Sequence, residues 1–333
     1  MSPGEQALRC RQGAGLFRLR DRGLVRVEGA DRVRWLDGML TNDVARLAPG
    51  RERSGCHALL LTRIGRIVAD LHVLLVDDAF WLETEAAAVA PLLATLAKFV
   101  IADDVRLADA GAGWERLALE GPAASGVFAA AAGEAPGLAP DCADAFAIAG
   151  TPVRAGAWGV SGEDALQLFV PAGRGEAVCE ALRRGGARHG LLEADADALE
   201  ILRIEAGTPR YGRELGEAVL PAEAGMLHAI STSKGCYTGQ EIVARMASRG
   251  APGHVLVGLA LAGDRLPPAG AALTQDGSRV GEVTSAARSA RAGAIALGFV
   301  RRAHATPGTK LELDGGAVQV AALPFVPPRS RSA

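Results

Sequence analysis

The stretch STSKGCYTGQE, residues 231–241, holds a cysteine, one of the chain's three lysines and one of its two tyrosines. Thr238 followed three residues later by Glu241 has the pattern of a capping box, which predicts a helix continuing through IVARM with Ile242, Val243 and Met246 available for packing. Cys236 then lies two residues before the cap, near the positive end of the helix dipole, with Lys234 two residues further back. Both influences lower a thiol pKa from about 8.5 and favour a nucleophilic, oxidisable or metal-ligating sulfur. A second reading fits the same spacing: free cysteine is often a small buried hydrophobe, here beside an ordinary capped helix. Gly235 and Gly239 point to a tight, accessible turn, and spacing alone leaves both readings open.

Two further clusters carry chemistry. In LRIEAGTPRYG, residues 202–212, Arg203, Glu205, Arg210 and Tyr211 crowd one turn and loop. Glu205 ends a helix beside Gly207, where the dipole gives a carboxylate no help. It can grip an amidine-like pair of N–H groups, as in a pterin ring, or close the helix through an internal Arg–Glu pair. In TRIGRIVADLHV, residues 62–73, Asp70 lies within an apolar strand, where an ionised carboxylate needs a partner or a functional surface. His72 shares its strand face.

Composition sharpens the choice of residues. The chain is rich in Ala, Arg, Gly and Pro, with Asn42 its single asparagine. In a GC-biased coding background the surviving Asn42, Tyr211, Lys234 and Tyr237 point to positions where replacement fails. The net charge of −2 gives no global attraction to nucleic acid or anionic membrane. No apolar run reaches the roughly 18 residues of a membrane span, and the N-terminus lacks the order of a secretory signal. The expectation is a soluble, cytoplasmic protein. Five dispersed cysteines without a CxxC pair argue for reduced thiols and against a metal site within one chain.

These residues need a scaffold. At 333 residues the chain exceeds one ordinary core, so two or three domains are expected. CHALLLT and IVADLHVLLV read as strands of a hairpin closed by RIGR. Asp31 starts a short helix presenting Val33, Leu36 and Leu40. AAAVAPLLATLAKFVI is a helix with Pro91 near its first turn, and residues 130–140 read as a loop. DADALEILRIEAG is a helix stopped by Gly207. The mixture of hairpins and helices favours α+β layers. From about residue 253 short strands alternate with Gly, Asp and Pro, the signature of a small β-barrel.

The combination resembles the YgfZ-type folate-binding proteins, relatives of the glycine-cleavage aminomethyltransferase, or T-protein. KGCYTGQE at 234–241 carries the YgfZ signature, and LTNDV at 40–44, GRIVADL at 65–71, RIEAG at 203–207 and GEVTS at 281–285 agree in order. The resemblance implies an aminomethyltransferase-like folate-binding fold: two interlocked α+β regions over 14–250, a C-terminal β-barrel over 253–326 and a disordered tail over 327–333. It also implies tetrahydrofolate, or a one-carbon derivative, as ligand, and support of iron–sulfur enzymes, including tRNA-modifying ones, as clients. Cys236, Lys234 and Asp70 are then the reactive group. Glu205, Arg203, Tyr211, Asn42, Gln167, Tyr237 and Gln240 are the folate contacts.

Departures from the aminomethyltransferases bear on the alternative, a folate-dependent aminomethyl transferase acting on an amine donor. Their GGxxDDL reads Ala69-Asp70 here, Gln240 replaces the Arg of FIGRE, and Gln167 replaces a ligand carboxylate. Loss of a carboxylate beside the folate nitrogen weakens proton handling. A folate-free binding scaffold using Cys236 is the third reading.

Overall fold

The computed structural model of the chain describes residues 1–263 and 265–329, the side chains of 247–249 excepted. It opens with a helix, α1 (Pro3–Gln12), set by a capping box in which Ser2 Oγ accepts from Glu5 N and the Glu5 carboxylate accepts from Ser2 N. The chain lays down β1 (Ala14–Leu19) and then leaves for a second sheet made of β2 (Arg22–Glu28), β3 (Gly55–Leu61), β4 (Ile67–Val76), β5 (Ala79–Glu85) and β6 (Arg106–Asp109). Two helices cover it, α2 (Arg32–Met39) and α3 (Ala86–Ala97). The chain returns to the first sheet through β7 (Trp114–Glu120), α4 (Ala124–Ala132), β8 (Ala143–Ile148), β9 (Thr151–Gly156), β10 (Ala165–Pro171), α5 (Gly175–Gly186), β11 (Leu191–Glu193) and α6 (Ala196–Ala206).

Six strands form the first sheet in the order β11-β1-β7-β10-β9-β8, and five form the second in the order β3-β4-β5-β2-β6. The second sheet is thus inserted between two strands of the first, which interlocks the α+β regions. The first sheet buries one face under α4 and α5 and the second under α2 and α3; the first sheet's other face meets the second sheet and also packs on α1, α6 and the residues that follow. Leu24, Leu74, Trp81, Trp158 and Phe169 join the two inner faces in one apolar cluster. Burying such side chains contributes about 1.5–3 kcal/mol each, which holds the sheets together around the polar groups described below.

After α7 (Gln240–Arg249), six strands close into a barrel: β12 (His254–Leu261), β13 (Ala272–Gln275), β14 (Ser278–Ser289), β15 (Gly293–Arg301), β16 (Lys310–Leu313) and β17 (Gly316–Ala321). The barrel docks on α6 through side-chain bonds. Ser289 Oγ donates to Glu205 at 2.5 Å, and Thr284 and Ser285 donate to Glu214 at 2.7 and 2.6 Å.

Several local expectations change. Helix α7 has no capping box: its N-cap is Gly239 at φ +85°, and no side chain caps it. Glu241 instead pairs with Arg245 one turn on. The left-handed turn wins because a Cβ at 239 would meet Thr62 O at 2.7 Å, so only glycine fits the approach to the β3–β4 hairpin. Pro91 falls in the second turn of α3, and α4 runs to Ala132, taking the first residues of the expected loop. A start at residue 14 leaves out α1, whose Arg11 proves central below. In the expected tail, Arg329 N donates to Glu163 at 3.0 Å, while residues 330–333 lie outside the described residues. No helix among the described residues is long and apolar enough to cross a membrane.

Candidate functional site

Strand alternation decides what faces the space between the sheets. In β3 and β4, His57 lies opposite His72 and Leu59 opposite Asp70, all on the inner face. His72 in turn lies opposite Glu83 of β5. Ala69 falls on the other face, fully buried in the cluster under α2 and α3. The position at which this chain lacks a carboxylate therefore points into the core, and the inward carboxylate, Asp70, is present. From the first sheet, Arg116 of β7 pairs in register with Phe169 of β10, and Ala118 with Gln167, which sets Arg116, Phe169 and Gln167 on one face.

Asp70 Oδ1 lies 2.5 Å from His57 Nε2, and His57 Nδ1 lies 3.1 Å from Nε2 of His228, an exposed residue on the 3-10 turn Met226–Ala229. His57 stacks on His72 with centroids 4.6 Å apart, and His72 stacks on Trp158 at 4.4 Å. Burial favours neutral forms at all these sites, and the partners decide which way each group goes. Burial raises Asp70, but the charge and hydrogen bond of His57 outweigh it and hold the carboxyl below its usual range. Burial lowers His57, and Asp70 reverses the sign, so His57 is raised. His72 is pushed down, chiefly by burial; Asp141 at 3.3 Å opposes the shift and His57 adds to it. Two stacked imidazoles are thus driven in opposite directions.

The remaining inner-face charges form one buried group, Glu83 between Arg22 and Arg116. Glu83, fully buried, is bonded through both oxygens by Arg22 at 2.6 and 2.7 Å. Burial works to raise its pKa, and Arg22 and Arg116 hold it at about 2. Arg116 is 6% exposed, lies over the Phe169 ring at 3.6 Å and pairs with Glu83 through Nη2 at 3.1 Å, while its Nε and Nη1 lack a hydrogen-bond partner. Burial lowers it to about 10. Gln167 is 4% exposed as a residue; its amide makes no hydrogen bond with a described residue and is not fully enclosed. Gln167 and the Nε and Nη1 of Arg116 thus leave unpaired polar groups on this face.

The other expected contacts lie elsewhere. Glu205 is 2% exposed, and Arg11 Nε at 2.5 Å and Ser289 Oγ take its two oxygens. Arg203 is spent on Glu200, Glu214, Thr208 O and Ser285. The RIEAG segment thus ties α1, α6 and the barrel together, and Glu205 has no free edge for a pterin. Lys234 is buried, its ammonium donating to Asp37 O, Leu40 O, Asn42 O and Asp37 Oδ1 at 2.5–3.0 Å. It holds the C-terminal end of α2, where a cation is favoured, rather than supporting a thiol. Asn42 pins the same segment to His57 O at 2.7 Å. Tyr237 packs among Leu59, Leu61 and Met226, and Tyr211 packs beside the same cluster. Gln240 opens α7, partly buried. Cys236 is exposed. Among the described residues no three His, Cys, Asp or Glu are placed to hold a metal ion.

Sequence reasoning missed His57, His228, Trp158, Asp141 and Arg116. His57 was open to detection, because a β3–β4 hairpin of these lengths sets it across from His72.

The chain matches the GCVT N-terminal domain over residues 3–234 and the glycine cleavage T-protein C-terminal barrel domain over 254–328. It is 32% identical to an aminomethyltransferase of Streptomyces coelicolor, covering 97% of this chain and 89% of that protein. The mitochondrial aminomethyltransferase of Gallus gallus is also 32% identical, covering 97% and 84%. The crystal structure of glycine cleavage system aminomethyltransferase T from Bartonella henselae superposes with a TM-score of 0.86 at 27% identity, covering 98% of this chain and 90% of that one. With the interlocked sheets, the closing barrel and both domain matches in agreement, this chain belongs to the aminomethyltransferase (glycine cleavage T-protein) family.

Proposed function

We propose that this chain binds a reduced folate between its two sheets and handles a one-carbon group there, as a folate-dependent transferase. The observation that carries the reading is the inner face itself: the unbonded Gln167 amide and the part-satisfied Arg116 guanidinium share one face of the first sheet, and Asp70 stands on the inner face of the second. A glutamine amide presents an N–H donor and a carbonyl acceptor side by side, which complements the C=O and N–H of a pterin lactam edge. Arg116 Nε and Nη1 suit an acceptor oxygen, and Trp158 offers an apolar edge to a flat ring. Tetrahydrofolate or a one-carbon derivative would supply the nitrogens that carry the one-carbon unit. Asp70, kept charged and oriented by His57 on Oδ1, takes or returns the ligand's proton at Oδ2, and the apolar cluster of Trp81, Trp158 and Phe169 excludes water. The test is turnover to methylenetetrahydrofolate with a glycine-derived aminomethyl donor, sarcosine or dimethylglycine. Formation of product in wild type and its loss in Asp70→Asn supports transfer; no product from any donor, with folate binding intact, retires the transfer step.

Exposed Cys236 favours a second reading on the same folate site. The turn carrying it is strapped to α2 by Ser231 N to Thr41 O, Thr238 N to Gly38 O and buried Lys234, which presents the thiol from a fixed frame. In this reading the chain assists iron–sulfur enzymes, including tRNA-modifying ones, and the thiol does the work. Full rescue of those enzyme activities in a deletion strain by Cys236→Ala would remove the thiol role.

A further inference from the structure

We propose that His228 and His57 form a proton relay between the protein surface and the Asp70 carboxylate. The relay rests on the reading of the inter-sheet space as the ligand site, since it matters most when a seated ligand shuts water away from Asp70. Its parts are in place. His228 is exposed, its Nε2 lies 3.1 Å from His57 Nδ1, and His57 Nε2 lies 2.5 Å from Asp70 Oδ1. A proton taken from water at His228 Nδ1 releases the Nε2 proton to His57 Nδ1, and the His57 Nε2 proton passes to Asp70 Oδ1. Each ring gains one proton and loses one, and the reverse sequence carries a proton out.

The alignment is built by the fold. Buried Thr41 accepts from Leu59 N at 2.8 Å and donates to Ala229 O at 2.7 Å, so one hydroxyl fixes the strand that bears His57 to the turn that bears His228. Asn42 Nδ2 bonds the carbonyl of His57 itself. Stacking between His57 and the His72–Trp158 pair limits rotation of the His57 ring. The charged and titratable groups around it are Asp70 and His72 of β4, Glu83 of β5, Asp141 ahead of β8, His228 of the 3-10 turn and, behind Asp70, Arg22 of β2. The carboxylates favour a proton on His57, and neighbouring His72 is driven neutral and so does not repel it.

The test is solvent exchange of the His57 Nε2 proton, read by NMR on full-length protein with labelled histidine, without ligand and with saturating tetrahydrofolate. His228→Gln keeps a hydrogen-bonding side chain at the turn but cannot pass a proton, and His228→Ala is the second variant should Gln perturb the fold. The relay predicts exchange slowed about tenfold or more in both variants, with the folate-bound form the more affected. Asp70→Asn instead removes the upward displacement of the His57 pKa. Unchanged exchange in correctly folded His228 variants overturns the relay. Failure of tetrahydrofolate to bind is seen separately by calorimetry and overturns the proposed function, while the ligand-free arm still decides the relay.

Discussion

Lys234 shows how a residue chosen for chemistry can serve structure. Its buried ammonium meets three carbonyls and a carboxylate at the end of α2, and Cys236, two residues on, is exposed. Lys234→Met should therefore destabilise the fold by about 3 kcal/mol through orphaned acceptors, whereas Cys236→Ser should shift stability by less than about 0.5 kcal/mol; urea unfolding of both variants checks the contrast. The Asp70–His57 pair sets a pH signature. His57 is raised by folding, so its contribution is full below the unfolded imidazole value and is lost as pH rises through the folded one. Asp70 is lowered, so its contribution is present above the unfolded carboxylate value and is lost as pH falls through the folded one. The stability gap between wild type and Asp70→Asn should be larger at about pH 5 than at about pH 9. An equal gap at both would mean that the two groups do not titrate as a pair.

At the scale of elements, local patterns were legible wherever a single stretch determined the outcome. The 55–76 hairpin, the Gly207 stop of α6 and the barrel strands after 253 follow from alternation and turn residues. Helix α1 was equally legible, since Ser2, Pro3 and Glu5 spell a capping box with proline in the first turn. The same pattern misled at Thr238-to-Glu241, because a left-handed Gly239 pressed against Thr62 O sets the helix entry. Gly239→Ala should cost at least about 1–2 kcal/mol from its backbone conformation and the clash, while Thr238→Ala should cost less than about 0.5 kcal/mol. Thermal unfolding of the two variants separates these outcomes; the reverse order would restore the capping box.

For the whole molecule, the site was the part least legible, because its members come from distant segments. His57, Asp70, His72, Trp158 and His228 meet, and Arg116 reaches Glu83, only after one sheet is inserted into the other, a long-range event that no local period encodes. Of the two readings left open for Glu205, the structure shows an internal Arg–Glu pair, but with a partner no local reading could name: Arg11 lies 194 residues away in α1. Arg11 also bonds Glu163 at 2.9 Å, so it clamps α1, the approach to β10 and α6 at the barrel's foot. Arg11→Met should cost about 3–5 kcal/mol by stranding two buried carboxylates, and should expose the barrel junction to proteolysis without removing residues of the inter-sheet site.

The central claim is the folate site itself. Anaerobic calorimetric titration of tetrahydrofolate into wild type, Gln167→Leu and Arg116→Met tests it directly. Micromolar affinity in wild type, near −8 kcal/mol, should fall about tenfold or more in each correctly folded variant, the loss of a buried hydrogen-bond partner. Absence of binding to folded wild type, or affinity unchanged in both variants, would contradict it.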